Sequence, residues 1–296
     1  MSASGSADSR CLLLGLSHDE LGVVVDGLAD PLQPVVAVAL GSSCLGLRTP
    51  LQQALEVLRQ RHTRAGALCR KLGLKRLELG DAKRVFMDFV EHDRYCERLT
   101  IDDMATLGMI LRTRRLPRLQ QLHLNQHLIG DAGAHTLFAG LDCGGAPSLY
   151  DISLSGNNVG PAGATLRTVA LPKLSTLSLG GNPIGNQGVA ALAAPLRKLP
   201  ALKSLHLCHC AIGDEGVASL FANLGKDDFK ALETLWLGDN LVTDAGMATL
   251  ASALDAGGLP RLRNDDEYDR WFFVKHNFAS ASAVQAVEDA LYKRSQ

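Results

Sequence analysis

Residues 232–254 read LETLWLGDNLVTDAGMATLASAL. Leu232, Leu235, Leu237 and Asn240 spell L-x-x-L-x-L-x-x-N, and beyond a short link Met247, Leu250 and Leu254 fall at helical spacing. A short strand followed at once by an amphipathic helix cannot cover its own leucines. Such a unit is stable only when copies stack side by side, each burying its neighbour's apolar face. The spelling recurs at Leu119-x-x-Leu122-x-Leu124, Leu149-x-x-Ile152-x-Leu154, Leu174-x-x-Leu177-x-Leu179 and Leu202-x-x-Leu205-x-Leu207. Starts at 119, 149, 174, 202 and 232 lie 30, 25, 28 and 30 residues apart, room for a strand and a full helix such as Ile212–Leu224 in each copy.

Five units in register resemble leucine-rich repeats of the ribonuclease-inhibitor type, over roughly Leu119–Leu291. The resemblance implies an α/β leucine-rich-repeat horseshoe, with parallel strands on the concave side and helices on the convex side. The position after each strand holds His127, Asn157, Asn182, Cys210 and Asn240. An inward Asn or Cys there can bond loop backbone that would otherwise be buried unpaired; His127 departs from the pattern and marks a weaker edge. Gly130, Gly160, Gly185 and Gly213, followed three residues later by Gly133, Gly163, Gly188 and Gly216, suit the tight turn into each helix. After Leu262 the pattern is interrupted by RNDDEYDR, residues 263–270, and resumes with Trp271–Val274, Asn277 and a helix carrying Ala283, Val287 and Leu291. This charged insertion reads as a solvated loop or as a lip on the binding face.

The chain before the clear repeats divides into a disordered tail at 1–10, a small all-α unit at 11–73, and irregular first repeats at 74–118. Ser17 and Glu20 form a capping box, Pro31 and Pro34 separate two helices, and a third runs from Leu51 to Leu72 with Leu51, Leu55, Leu58 and Leu68 inward. Leu16, Glu20-Leu21, Val24 or Val25, Leu28, Pro31-Leu32, Ala39-Leu40, Ser43-Cys44 and Leu47-Arg48 follow the order of an F-box, and this unit resembles one. Ser17 stands where that family has proline, Pro31-Leu32 where it has Asp-Leu, and no tryptophan follows Cys44. The resemblance implies a substrate receptor of a cullin–RING ubiquitin ligase, with Leu16, Leu21, Val25, Leu28 and Leu32 meeting a Skp-type adaptor. A plain cap over the first repeat would satisfy the same apolar residues. Further on, Leu74–Leu79 is predicted to be a first strand, Val85–Leu99 to be helical, and Ile101–Leu111 to be a convex helix.

Composition bounds the rest. With 46% hydrophobic and 21% charged residues the chain is a folded protein, and a net charge of −1 gives no global pull toward nucleic acid or anionic membrane. No stretch approaches the roughly 18 apolar residues that span a bilayer. Seven cysteines without a repeating framework read as reduced thiols, hence a cytoplasmic or nuclear chain, monomeric by itself. Eight Lys and Arg against Glu56 between Arg48 and Arg76, with Arg112, Arg114, Arg115 and Arg118, form basic faces without the interleaved aromatics of nucleic-acid binders.

No cofactor or metal site is expected. The string His206-Leu207-Cys208-His209-Cys210 tempts a zinc reading, but Leu207 and Cys210 are used inward by the repeat, leaving two ligands where a structural site needs four. No nucleophile–base constellation or phosphate loop is visible, so the chain reads as a non-catalytic scaffold for a protein ligand. An alternative is set by resemblance to Ran-type GTPase-activating proteins, which share the repeat subtype. It implies an arginine on an early strand-to-helix loop stabilising phosphoryl transfer, and Arg84 is the positional candidate. In a horseshoe the residue between the last two strand leucines faces the concave side. These are His123, Ser153, Ser178, His206 and Trp236, continued by Phe273, with Cys208 and Lys275 in the next row. Exposed Trp flanked by His and Phe marks an interface, unless the C-terminal segment folds over it.

Overall fold

The computed structural model describes residue 39 and residues 52–89, 97–113, 116–164, 171–262, 274 and 276–295. The F-box-like residues Leu16, Leu21, Val25, Leu28 and Leu32, the 263–270 insertion, Phe273 and Lys275 lie outside them. Helix α1, Gln52–Lys71, buries Leu58, Ala65, Gly66, Leu68 and Cys69, while Leu55 is half-buried. Arg70 and Lys71 sit in its last turn, where the helix dipole favours cations.

The sequence expectation fails at 74–89 and 97–99. Residues Arg76–Asp81 form a short helix, α2, not a strand; Glu78 accepts a hydrogen bond from the Lys75 backbone at its start (2.9 Å). The first strand is β1, Arg84–Phe86, where the start of a helix was expected. It pairs parallel with β2, Gln121–His123, Val85 opposite Leu122 and Phe86 opposite His123. Ala82, Val85 and Met87 thus take the three strand-leucine places, which is why leucine spacing misses this repeat. Helix α3, Ile101–Thr113, follows as predicted. Its start is a reciprocal box: Thr100 N–H donates to Asp103 Oδ2 (2.8 Å) and Asp103 N–H to Thr100 Oγ1 (3.2 Å). Lys71 Nζ closes on the same carboxylate at 2.7 Å, tying α1 to α3. Burial alone would raise Asp103, but these donors outweigh it and hold the carboxyl below its ordinary range.

From β2 onward the predicted register holds. Strands β3 (Asp151–Ser153), β4 (Thr176–Ser178), β5 (Ser204–His206) and β6 (Thr234–Trp236) extend an open, six-stranded parallel sheet in the order β1 to β6. Convex helices α4 (Gly130–Asp142), α5 (Gly185–Arg197), α6 (Asp214–Phe221), α7 (Asp244–Asp255) and α8 (Ala281–Ser295) lie between and after them. The fold is an α/β leucine-rich-repeat horseshoe. Val85, Leu122, Ile152, Leu177, Leu205 and Leu235 form one buried row along its axis. Helix α6 is shorter than the full helix expected over Ile212–Leu224. Arg197 reaches across to the carbonyls of Ser219 (2.6 Å), Leu220 (3.0 Å) and Ala222 (3.0 Å), satisfying the C-terminal acceptors of this truncated helix.

Two hydrogen-bonded ladders clamp the repeats. In the first, each inward Asn serves two neighbours. Asn182 Nδ2 donates to Leu154 O (2.8 Å) and Leu179 O (2.7 Å), while its Oδ1 accepts from Asn157 N (2.9 Å) and Val159 N (3.0 Å). Asn157, Asn240 and Asn277 repeat the arrangement. Cys210 fills one rung with its thiol, 3.3 Å from Leu179 O and Cys208 O. His127 is not a weak edge: Nδ1 accepts from Leu99 N–H (3.1 Å), so Nε2 carries the proton to Met87 O (2.6 Å). Burial, partly opposed by that carbonyl, keeps this imidazole below its usual pKa. The second ladder joins helix starts. Asp131 accepts from Gly160 N–H, Asn186 from Gly213 N–H (2.7 Å), Asp214 from Thr243 N–H (2.8 Å) and Asp244 from Ser280 N–H (2.6 Å).

Candidate ligand-binding face

Parallel register brings Phe86, His123, Ser153, Ser178, His206 and Trp236 into one concave row. Five of these were expected there; Phe86 was not, and it is 50% exposed at the head of the row. Its ring meets His123 edge-on, centroids 4.4 Å apart. At the other end His206 and Trp236 stack, with centroids at 5.5 Å and planes 15° apart. Aromatic surface therefore bounds both ends of the face, not only the C-terminal one. Trp236 is half-buried. Burial holds His206 below its usual pKa, with the Asp151 charge opposing, so the stacked imidazole is neutral near pH 7.

The row one step earlier, Arg84, Gln121, Asp151, Thr176, Ser204 and Thr234, also lines this side. Asp151 is its distinctive member. Gln121 Nε2 donates to Asp151 Oδ2 at 2.9 Å, and His123 Nε2 stands 3.0 Å from the same oxygen. The sequence reading followed only the position between the last two strand leucines and so passed over Asp151 and Gln121. In the row beyond, Ser153 Oγ and Ser155 N–H both donate to Asn125 Oδ1 at 2.7 Å, and the Ser155 and Ser178 hydroxyls pair at 2.8 Å. Cys208 is half-buried beside them; burial pushes its thiol up, with Gly238 N–H pulling back and Asp239 adding to the rise.

The rim at the C-terminal end carries His209, Asp239 and His276, equivalent positions of three successive repeats, each at a left-handed φ of 54° to 56°. His209 Nε2 lies 3.2 Å from Asp239 Oδ2, and His276 Nδ1 3.0 Å from Asp239 Oδ1. Sequence spacing could have found this set, since each residue immediately precedes a ladder position.

Among the described residues the groups considered from sequence for the two chemistries are placed as follows. Arg84 opens β1 and points from a strand, whereas the GTPase-activator resemblance required a loop beyond one. Cys210 is buried, its thiol pushed up to about 12, chiefly by burial. Among the described residues no group of three His, Cys, Asp or Glu is arranged to hold a metal, and no helix is long and apolar enough to cross a membrane.

A family described as "Leucine Rich repeat" matches residues 170–193 and 198–221. The Bos taurus Tonsoku-like protein is 32% identical over 221 residues, 70% of this chain but 15% of that protein. The Sus scrofa ribonuclease inhibitor is 32% identical over 161 residues, covering 53% of this chain and 34% of the inhibitor. The chain thus spans only a fraction of either relative's length. The C-terminal domain of Caenorhabditis elegans tropomodulin aligns at 14% identity and a TM-score of 0.41, over 65% of this chain and 93% of that domain. The ladders, the concave rows and the repeat match over 170–193 and 198–221 are those of a leucine-rich-repeat protein, similar over part of its length to ribonuclease inhibitor.

Proposed function

We propose that this chain is a non-catalytic scaffold that captures a protein ligand on its concave face. The observation carrying this reading is the row from Phe86 to Trp236: these strand residues, outside the repeat pattern, are aromatic and imidazole at both ends, where inward positions repeat the same leucines and asparagines. Half-exposed aromatics on a rigid, preorganised sheet supply contact area at low entropic cost. Comparing partners captured from source-cell lysate by the wild-type chain and by Trp236→Ala and Phe86→Ala tests it. Partners should be lost from both variants and kept by a convex-face control, Thr249→Arg; retention by both concave variants refutes the reading.

We also propose that residues 16–32 dock a Skp-type adaptor, which would make the chain a substrate receptor of a cullin–RING ubiquitin ligase acting in cytoplasm or nucleus. Support comes from the F-box order of Leu16, Leu21, Val25, Leu28 and Leu32. Co-expression with the adaptor should give a complex that Leu21→Asp with Val25→Asp abolishes, and failure of the wild-type chain to co-purify removes this role.

A further inference from the structure

Phe86–His123 stands on β1 and β2, and His206–Trp236 on β5 and β6. Between them β3 and β4 and the residues that follow contribute only Ser153, Ser155, Ser178 and Gly180 to the two outer rows. With adjacent strands about 4.8 Å apart, the imidazoles of β2 and β5 flank a trough about 14 Å across. An α-helix with its side chains measures about 10–12 Å, which fills that width, whereas one extended peptide would touch a single wall. The floor asks little of a visitor. Its hydroxyls are already bonded to Asn125 and to each other. A Cβ on Gly180 would lie 3.4 Å from Cys208 O, so the floor there is close to bare backbone.

The charged groups on and just before these strands divide clearly. Lys203 pairs with Glu233 at 3.2 Å. Among the described residues Gln121 and His123 are the close partners of Asp151, neither a fixed cation, and its side chain is 15% exposed on β3 beside the β2 wall. We propose that the trough receives an α-helix of a partner protein, laid along the strands, with small side chains against Ser155 and Ser178 and a lysine or arginine at Asp151. This rests on the concave-face reading above and adds the shape and charge of the ligand.

Two phage libraries panned on the full chain test it, one randomised on a single-helix scaffold and one of linear unstructured peptides. Helical binders carrying a conserved basic position should emerge. Their affinity should fall more than tenfold with the trough-filling Ser178→Phe and about tenfold with Asp151→Asn. Thr176→Tyr fills the trough without touching the Ser155–Ser178 bond and serves if Ser178→Phe disturbs folding, as read by thermal melting. Binders from the linear library alone, blocked by trough filling, overturn the helix and leave the concave reading standing. Helical binders indifferent to Asp151→Asn overturn the cation. Binders of either kind indifferent to Ser178→Phe, Thr176→Tyr and Trp236→Ala overturn both readings.

Discussion

Replacing Asn182 by Ala tests the inward ladder at a fully bonded rung. The side chain is completely buried and joins two repeats through four contacts of 2.7–3.0 Å. Truncation strands Asn157 N–H and Val159 N–H and removes a donor from Leu154 O and Leu179 O. At about 1.5 kcal/mol for each buried orphan N–H, and about half that for a carbonyl, the loss is about 4–5 kcal/mol. That is a large share of the roughly 5–15 kcal/mol that holds a folded domain together. The assay is urea denaturation followed by far-UV circular dichroism, with the midpoint falling by about 1.5 M at unchanged slope. Asn182→Cys is the informative control, because Cys210 shows that a thiol can bond two carbonyls from this position; it should lose about half as much. A deficit below about 1 kcal/mol for Asn182→Ala, with the slope unchanged, would refute the claim that these amides hold the turns.

Three further outcomes follow from other contacts. A Cβ at Gly246 would fall 2.5 Å from both Val242 Cγ1 and Asp214 Oδ1, so Gly246→Ala should cost about 2–3 kcal/mol, against about 1 kcal/mol for Gly130→Ala, where space is open but φ is +61°; equal losses in thermal melts would contradict the close approach. His127 is held neutral, with its folded pKa below the unfolded value near 6.5. Its contribution is therefore fully present above about pH 6.5 and is lost as pH falls through the imidazole range. Urea midpoints at pH 7.5 and 5.5 should differ more for the wild type than for His127→Asn. Asp214 lies below its ordinary pKa because hydrogen bonds from Thr243 Oγ1, Thr243 N–H and Gly246 N–H outweigh a burial effect that would raise it. Asp214→Ala should cost about 1 kcal/mol at neutral pH, and the gap should close as pH drops below about 3.8, where the wild type loses the same charge.

Legibility in the sequence followed how strongly each position is constrained. Leucines at 122, 177, 205 and 235 face a nearly invariant environment, so their spacing announced the sheet and its register. The Asn rungs were equally visible because one amide must both donate and accept across a repeat boundary. The second ladder was in plain view as the residue between two glycines in IGDAG, IGNQG and IGDEG, but those glycines drew attention as turns, and the acceptor beside them went unread. Asp151 was missed for a different reason: its meaning depends on Gln121 and His123, thirty and twenty-eight residues away, and pairing across strands is not periodic.

Edge position by itself does not explain why β1 abandons leucine, since β6, also with one described neighbour strand, keeps Leu235 and Leu237. Strands β3 to β5 lie between strands whose inward places hold leucine or isoleucine, and such rows fit one another. Among the described residues β1 has such a neighbour on one side only, and its inward residues share the core with Leu68 and Cys69 of α1 and Leu79 of α2. Helices present an irregular surface to a strand, and the small Ala82, the compact Val85 and the flexible Met87 accommodate what three leucines would not. His127 belongs to the same transition. A longer side chain than Asn is needed to reach Met87 O while bonding Leu99 N–H, and the imidazole spans both. The departure that looked like a weak rung in sequence is the joint by which regular repeats are fastened to an irregular first one, and that joint places Phe86 at the head of the concave row.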